Sequence, residues 1–251
     1  MNKKRDTSIK QTLQNLFILM VITIFCMGMI TTFLTSLKSD VDISSMPPKW
    51  IFKPVWDHYY NVFLSGSYDF PRYFYNSTVI AIVSTSISVL ITLPAAYSIV
   101  RYRGFGNVVL GATLLLRLMP AMSMAIPIFV IFNSLKIIDT KLAIILMHAL
   151  FIAPTSLMLL IGYVQDLPKD IEEAAAIDGA NTLQILKDIM FPIIRPGIAS
   201  VAILGFITSW NEFLFSVILS IKNATTVTVG ASFFITSFAV KWRDMAAAIT
   251  V

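Results

Sequence analysis

Cysteine and histidine are almost missing from this chain of 251 residues: Cys26 stands alone, and His58 and His148 are the only histidines. One thiol makes no disulfide and no cysteine metal cluster. The two histidines have no second His, Cys or carboxylate at ligand spacing, short of the three or four groups a metal site needs. A hydrogen-bonded structural role is the stronger reading of both. Charge is scarce too, at 13% against roughly a quarter in ordinary soluble domains. No G-x-x-x-x-G-K-[ST] phosphate loop occurs, so ATP chemistry has to come from another subunit. No G-x-S-x-G elbow with a suitable histidine occurs either. The chain reads as no enzyme by itself.

What fills the space is apolar. Hydrophobic residues make up 57% of the chain, and mean hydropathy is +0.78. Runs at about residues 16–35, 75–100, 108–135, 142–164 and 197–221 each supply the roughly 20 residues that cross a hydrocarbon core. A sixth run, 245–251, is too short to cross and reads as the start of a truncated span. The fold class is all-α, a polytopic helical membrane protein forming one domain over 1–251. Pro94, Pro120, Pro127 and Pro154 fall inside the second, third and fourth runs, where a missing backbone donor tends to kink a helix. The N-terminal run is long and lacks a small-x-small cleavage site, so it reads as a retained anchor.

The basic residues follow membrane topology rather than nucleic acid. Lys3, Lys4, Arg5 and Lys10 precede the first span, and Arg101 and Arg103 follow the second, which places both segments and the N-terminus in the cytoplasm. The loop between those spans is crowded with aromatic residues, among them Trp50, Phe52, Trp56, Tyr59, Tyr60, Tyr68 and Phe70. Two readings stand: an interfacial belt, or a docking surface for an external partner.

Between the fourth and fifth runs, residues 165–196 look soluble. Pro168 suits a first helical position, and a short Ala-rich helix with Glu172, Glu173 and Asp178 reaches Gly179, a left-handed terminator. Ile171, Ala174, Ala175 and Asp178 share a face by i, i+3, i+4 spacing. Asn181 with Gln184 fits a capping box, after which Leu183, Leu186, Ile189 and Met190 form an apolar stripe that ends at Pro192. Three acids in the first helix make it a poor ligand for an anionic leaflet, so a protein contact is the better reading.

Within the apolar runs, Arg117 and Glu212 stand out, because a charge at the bilayer centre costs roughly 2.5–3.5 kcal/mol and persists when it faces a partner or a wet cavity. Arg117 near an interface and Glu212 at a helix bend are the bland readings. The sharper one has Asn211 and Glu212, with Arg117, lining a substrate path.

Glu173, Ala174 and Ala175, then three residues, Gly179, nine residues, Ile189, one residue, and Phe191 with Pro192 resemble the EAA signature of ABC-importer permeases, E-A-A-x3-G-x9-I-x-L-P. Only Phe191 departs, replacing leucine. Arg117 to Pro120, the Ile137–Thr140 stretch IIDT and the Trp210–Phe215 stretch WNEFLF resemble the carbohydrate-uptake branch that includes the maltose-transporter permeases. The resemblance implies a type I importer permease fold with a six-helix core, of which most of the last helix is absent here. It implies that Glu172, Glu173, Ala174, Ala175, Asp178, Gly179, Ile189 and Pro192 form a coupling loop. It further implies a second permease subunit, two ATPase subunits that carry the ATP and Mg, an external solute-binding protein and a sugar substrate in an inner membrane. No cofactor on this chain and no nucleic acid are implied. Residues 222–244 resemble an external loop that in some relatives probes the binding protein. A same-fold permease for polyamine or phosphate, and a stand-alone secondary carrier, are the competing readings.

Overall fold

In the computed structural model of the chain, residues 2–64, 68–102, 106–236 and 240–250 are described, with side chains from residue 11 onward apart from 107. Arg103, Val251, residues 237–239 of the expected external loop and the side chains of Lys3, Lys4, Arg5 and Lys10 lie outside that description. The described residues form helices and no β-strand. In chain order these are α1 (Asn2–Ser36), α2 (Asp40–Ile43), α3 (Asp57–Phe63), α4 (Phe70–Arg101), α5 (Gly106–Leu118), α6 (Ala121–Ser134) and α7 (Lys141–Gln165). There follow α8 (Lys169–Ile177), α9 (Thr182–Trp210), α10 (Leu214–Leu219), α11 (Val227–Ser232) and α12 (Trp242–Thr250). Four helices, α1, α4, α7 and α9, are long and apolar enough to cross a membrane, and α5 with α6 makes a fifth if the pair is one span.

One expected span is bent far more than a kink, and another is displaced. The run 108–135 is not one straight helix, because α5 and α6 meet at a bend of 100°. Pro120 stands at the joint as the N-cap of α6, with ψ 124°. A proline has no N–H to give the preceding turn, so it opens a helix more readily than it continues one. Pro94, Pro127 and Pro154 sit inside unbroken helices, so of the four only Pro120 interrupts a span.

The run 197–221 is displaced: its helix begins at Thr182 and ends at Trp210. The expected stop at Pro192 does not occur, because Ile185–Met190 forms a π-helical turn in which the Phe191 N–H bonds to the Leu186 carbonyl. A wider turn shifts the carbonyl that the proline ring would strike, and the helix runs on. The real stop comes at Asn211, and Glu212 then caps a new helix by accepting from the N–H groups of Phe215 at 2.9 Å and Ser216 at 3.1 Å.

The sequence reads as one domain; the packing groups it into two compact units. In the first, Met1–Phe70 with Ala231–Val251, α12 packs on α1 and α3 through buried Ala246, Ala247 and Ala248. Lipid is as apolar as leucine, so small residues that let helices approach closely matter more here than hydrophobicity. Ser36 and Tyr59 share a hydrogen bond of 2.7 Å, and His58 Nδ1 lies 3.2 Å from Asp244. In the aromatic loop, Phe70 is buried while Trp50, Trp56 and Tyr60 stay exposed.

The second unit, Pro71–Gly230, holds two hydrophobic clusters. One gathers Leu93, Ala96 and Tyr97 of α4, Leu157, Leu160 and Val164 of α7, and Ile185, Met190 and Ile194 of α9. The other joins Ile80, Phe132, Ile144, Met147, Phe215 and Leu219. The α7–α9 contact depends on Gly197, where an added Cβ would come within 2.7 Å of the Tyr163 ring.

Candidate functional site

The soluble-looking segment folds as the predicted hairpin of α8 and the start of α9. Pro168 proves to be the N-cap of α8, one position earlier than expected, at φ −59° and ψ 132°. At the other end, Gly179 has φ +89°. The Ala180 N–H bonds back to the Ala175 carbonyl at 3.0 Å and the Gly179 N–H to Ala176 at 3.1 Å. These two bonds make a Schellman terminus, which needs a residue at ease in the left-handed region. The capping box forms as read: the Asn181 side chain accepts from Gln184 N–H at 3.0 Å, and Gln184 accepts from Asn181 N–H at 2.8 Å. Rigid joints therefore bound a turn of four residues, 178–181.

The two neighbouring acids face opposite ways. Glu172 is buried, and its Oε1 takes a two-pronged bond from Arg101 at the end of α4, 2.8 Å from Nε and 2.6 Å from Nη2. Tyr97 donates its hydroxyl to Oε2 at 3.1 Å. The same Nη2 donates to the carbonyls of Val164 and Leu167 at 3.3 Å and 3.0 Å, where α7 ends and carbonyls run out of regular helical donors. One guanidinium thus ties α4, α7 and α8 together. A planar, always charged fork suits this task better than an ammonium. Glu173, in contrast, is exposed with Ala174, Ile177, Asp178 and Gly179.

The face predicted from Ile171, Ala174, Ala175 and Asp178 is divided by the fold. Ala175 turns to the core, whereas Ile171, Ala174 and Asp178 point out. The predicted stripe on the second helix is also shifted: Leu183 is 70% exposed, Leu186 and Ile189 are half-buried, and Met190 is fully buried beside Ile185. Leu183 precedes the π-turn and lies in the exposed first turn of α9, while the wider turn that follows changes which residues face the core beyond it. Pro192 is exposed on α9. What remains outside is a compact surface of Glu173, Ile177 (86% exposed), Asp178, Gly179 and Leu183. It combines exposed apolar side chains with a carboxylate beside them.

The three candidate path residues are less coherent. Asn211 is exposed and donates to the Ile207 carbonyl at 2.9 Å. Besides capping α10, Glu212 lies 3.0 Å from His148 Nε2 on α7. His148 Nδ1 meets Ser209 at 2.7 Å, and Ser209 meets Ser84 at 3.1 Å. The carboxylate is thereby spent on a buried polar chain linking α4, α7, α9 and α10. Arg117 ends α5, exposed, with Met158 Sδ at 3.9 Å as its hydrogen-bond contact among the described residues. It lines a cavity of about 70 Å³ with Leu116, Met124, Leu150, Phe151 and Pro154.

Sequence reasoning counted Arg101 only as a topology signal and missed Tyr97. The available signal was a doubled acid on a short helix, one more than a docking contact needs, with an arginine ending an earlier span.

Residues 88–250 match the family of binding-protein-dependent transport system inner membrane components. The chain is similar to a probable ABC transporter permease protein of Sinorhizobium fredii, 31% identical over 86% of this chain and 77% of that protein. It is similar to the trehalose/maltose transport system permease of Thermococcus litoralis, at 33% identity over 73% of this chain and 66% of that one. In the crystal structure of a bacterial ABC transporter that imports the acidic polysaccharide alginate, one chain has the same fold. Its TM-score is 0.77, over 98% of this chain and 92% of that one, at 20% identity.

Proposed function

The chain belongs to the binding-protein-dependent transport system inner membrane components, and from that we propose that it is the permease subunit of an ABC importer for a sugar or oligosaccharide. The trehalose/maltose relative supports the substrate class. The observation that carries the mechanism is the hairpin's exposed patch on a rigid mount: Glu173, Ile177 and Leu183 face out while Glu172 is bound to Arg101.

In this reading the patch docks into a cleft on an ATPase subunit, which holds the ATP and Mg, and Glu173 meets a basic group there. ATP-driven closure of two such subunits moves the clefts. The hairpin passes the motion on by two routes, directly along α9 and through Arg101 into α4 and α7. A bundle with two arrangements then exchanges inward-facing for outward-facing states. A second permease subunit and an external binding protein complete the complex, the N-terminus is cytoplasmic, and the loop 222–244 lies outside together with the residues that lead into it from α10. Asn211 and Arg117, exposed in this subunit, are proposed to line the path, with Glu212 shaping it through its capping role.

The test is ATP-dependent sugar uptake by proteoliposomes holding the full complex. Glu173→Lys is expected to insert and fold normally yet abolish uptake; normal uptake by that variant would remove the docking role.

A further inference from the structure

The IIDT stretch lies in the α6–α7 connection, far in sequence from the hairpin, and has no part in the coupling described above. Lys136 and Asp139 there hold φ 58° and 60°, a conformation that residues other than glycine take only when their surroundings impose it. At Asp139 the carboxylate supplies the cause. Asp139 Oδ1 accepts from four successive backbone N–H groups: Ile221 at 2.9 Å, Lys222 at 2.9 Å, Asn223 at 2.8 Å and Ala224 at 3.2 Å. Its Oδ2 accepts from Asn223 N–H at 3.0 Å and from the Asn223 amide at 2.8 Å. The Asp139 N–H in turn donates to the Leu219 carbonyl at 2.8 Å.

Successive N–H groups converging on one point form a nest of the kind that binds free anions. Here the chain supplies its own anion. Partial burial pushes the Asp139 carboxyl up, but the four N–H donors outweigh it and hold the group below the usual carboxylate range. It is ionised throughout the physiological range.

From the other side, α4 straps the same loop. Asn76 donates to the Asn223 and Thr225 carbonyls at 3.0 Å and 2.9 Å, and Ser77 accepts from the Val227 N–H at 2.9 Å. Ile221, Lys222 and Asn223 remain exposed, so the knot fixes backbone that faces out.

We propose that Asp139 is a positioning residue that pre-forms the loop from Ile221 to Val227, at the entry to α11, as part of the surface on which the loaded external binding protein docks. The proposal rests on the importer reading and on its placing this loop outside. A loop already ordered does not have to be ordered during docking, so the knot appears as affinity for the partner.

Both Asn and Gly tolerate a φ near 60°, so Asp139→Asn and Asp139→Gly test the carboxylate rather than the backbone. The experiment follows ATP hydrolysis by the reconstituted complex as loaded binding protein is added. Both variants should raise its half-saturating concentration about tenfold, leaving the maximal rate and the hydrolysis without binding protein unchanged. Formate should enter the vacated nest of Asp139→Gly and restore the wild-type value. In Asp139→Asn, where an amide fills the nest, formate should do nothing. A nitroxide on Lys222→Cys, in a Cys26→Ser background, should gain mobility in Asp139→Gly and lose it again with formate. Half-saturation unchanged in both variants, with the wild type normally stimulated, would overturn the role of Asp139 alone. A wild-type complex indifferent to binding protein would overturn the importer reading and the proposal together.

Discussion

Two regions of the second unit each hold a carboxylate at a junction of elements, and they hold it by different means. At the hairpin, Glu172 is bound by side chains, the Arg101 fork and the Tyr97 hydroxyl. At the α6–α7 connection, Asp139 is bound mainly by the backbone of one loop. A side-chain clasp lets separate helices move as one body while each keeps its own conformation. Backbone bonds instead dictate the shape of the segment that makes them. In the proposed coupling the hairpin carries displacement and leaves an apolar face free, whereas the loop keeps one shape.

The severest way to break the contrast is at the turn. Proline cannot take the φ of +89° found at Gly179, so Gly179→Pro should abolish ATP-dependent uptake while the protein still inserts. Normal uptake by that variant would sink the coupling role. Next in size is the clasp itself. Arg101→Leu leaves Glu172 buried without its cation and should destabilise the protein by about 3–5 kcal/mol, read as a lower unfolding midpoint in detergent. Glu173→Lys should move that midpoint by no more than about 0.5 kcal/mol. Equal losses would mean that the two acids are not divided as described.

The smallest test concerns pH. The folded-state value of Asp139 is depressed, so its stabilisation is present above the unfolded carboxylate value and is lost as pH falls through the folded one. A spin label at position 222 should therefore keep the same mobility from pH 8 to about pH 5 and loosen only below about pH 4, where carboxylates protonate. Loosening near neutral pH would show that some other group holds the loop.

Much of the hairpin was legible from local chemistry. Gly179, the Asn181–Gln184 box and the start of α9 depend on residues within one turn of each other, and such short-range rules are readable in order. The stop at Pro192 was misread for a reason equally physical. A π-turn adds a residue per turn without any marker residue, so a fixed 3.6-residue period fails beyond it. The elbow at Pro120 was visible as a proline; its 100° bend was not, since a proline inside a run can kink, break or leave a helix whole. Glu212 was recognised as a buried charge in need of a partner, and the partner, His148, was set aside because single-site spacing cannot reveal a pair 64 residues apart.

By itself the sequence determined that this chain is a helical membrane protein, where the hairpin turns at Gly179 and Asn181, and which signature its exposed loop carries. Those properties follow from hydropathy, backbone preference and nearest-neighbour capping, all of them local. Only the tertiary structure decided which of two adjacent glutamates faces the core, that Arg101 joins three helices, and that Asp139 gathers four N–H groups from a loop more than eighty residues away. Such pairings depend on distance in space, and within a membrane, where burying apolar surface barely distinguishes one packing from another, these few polar contacts fix how the elements meet.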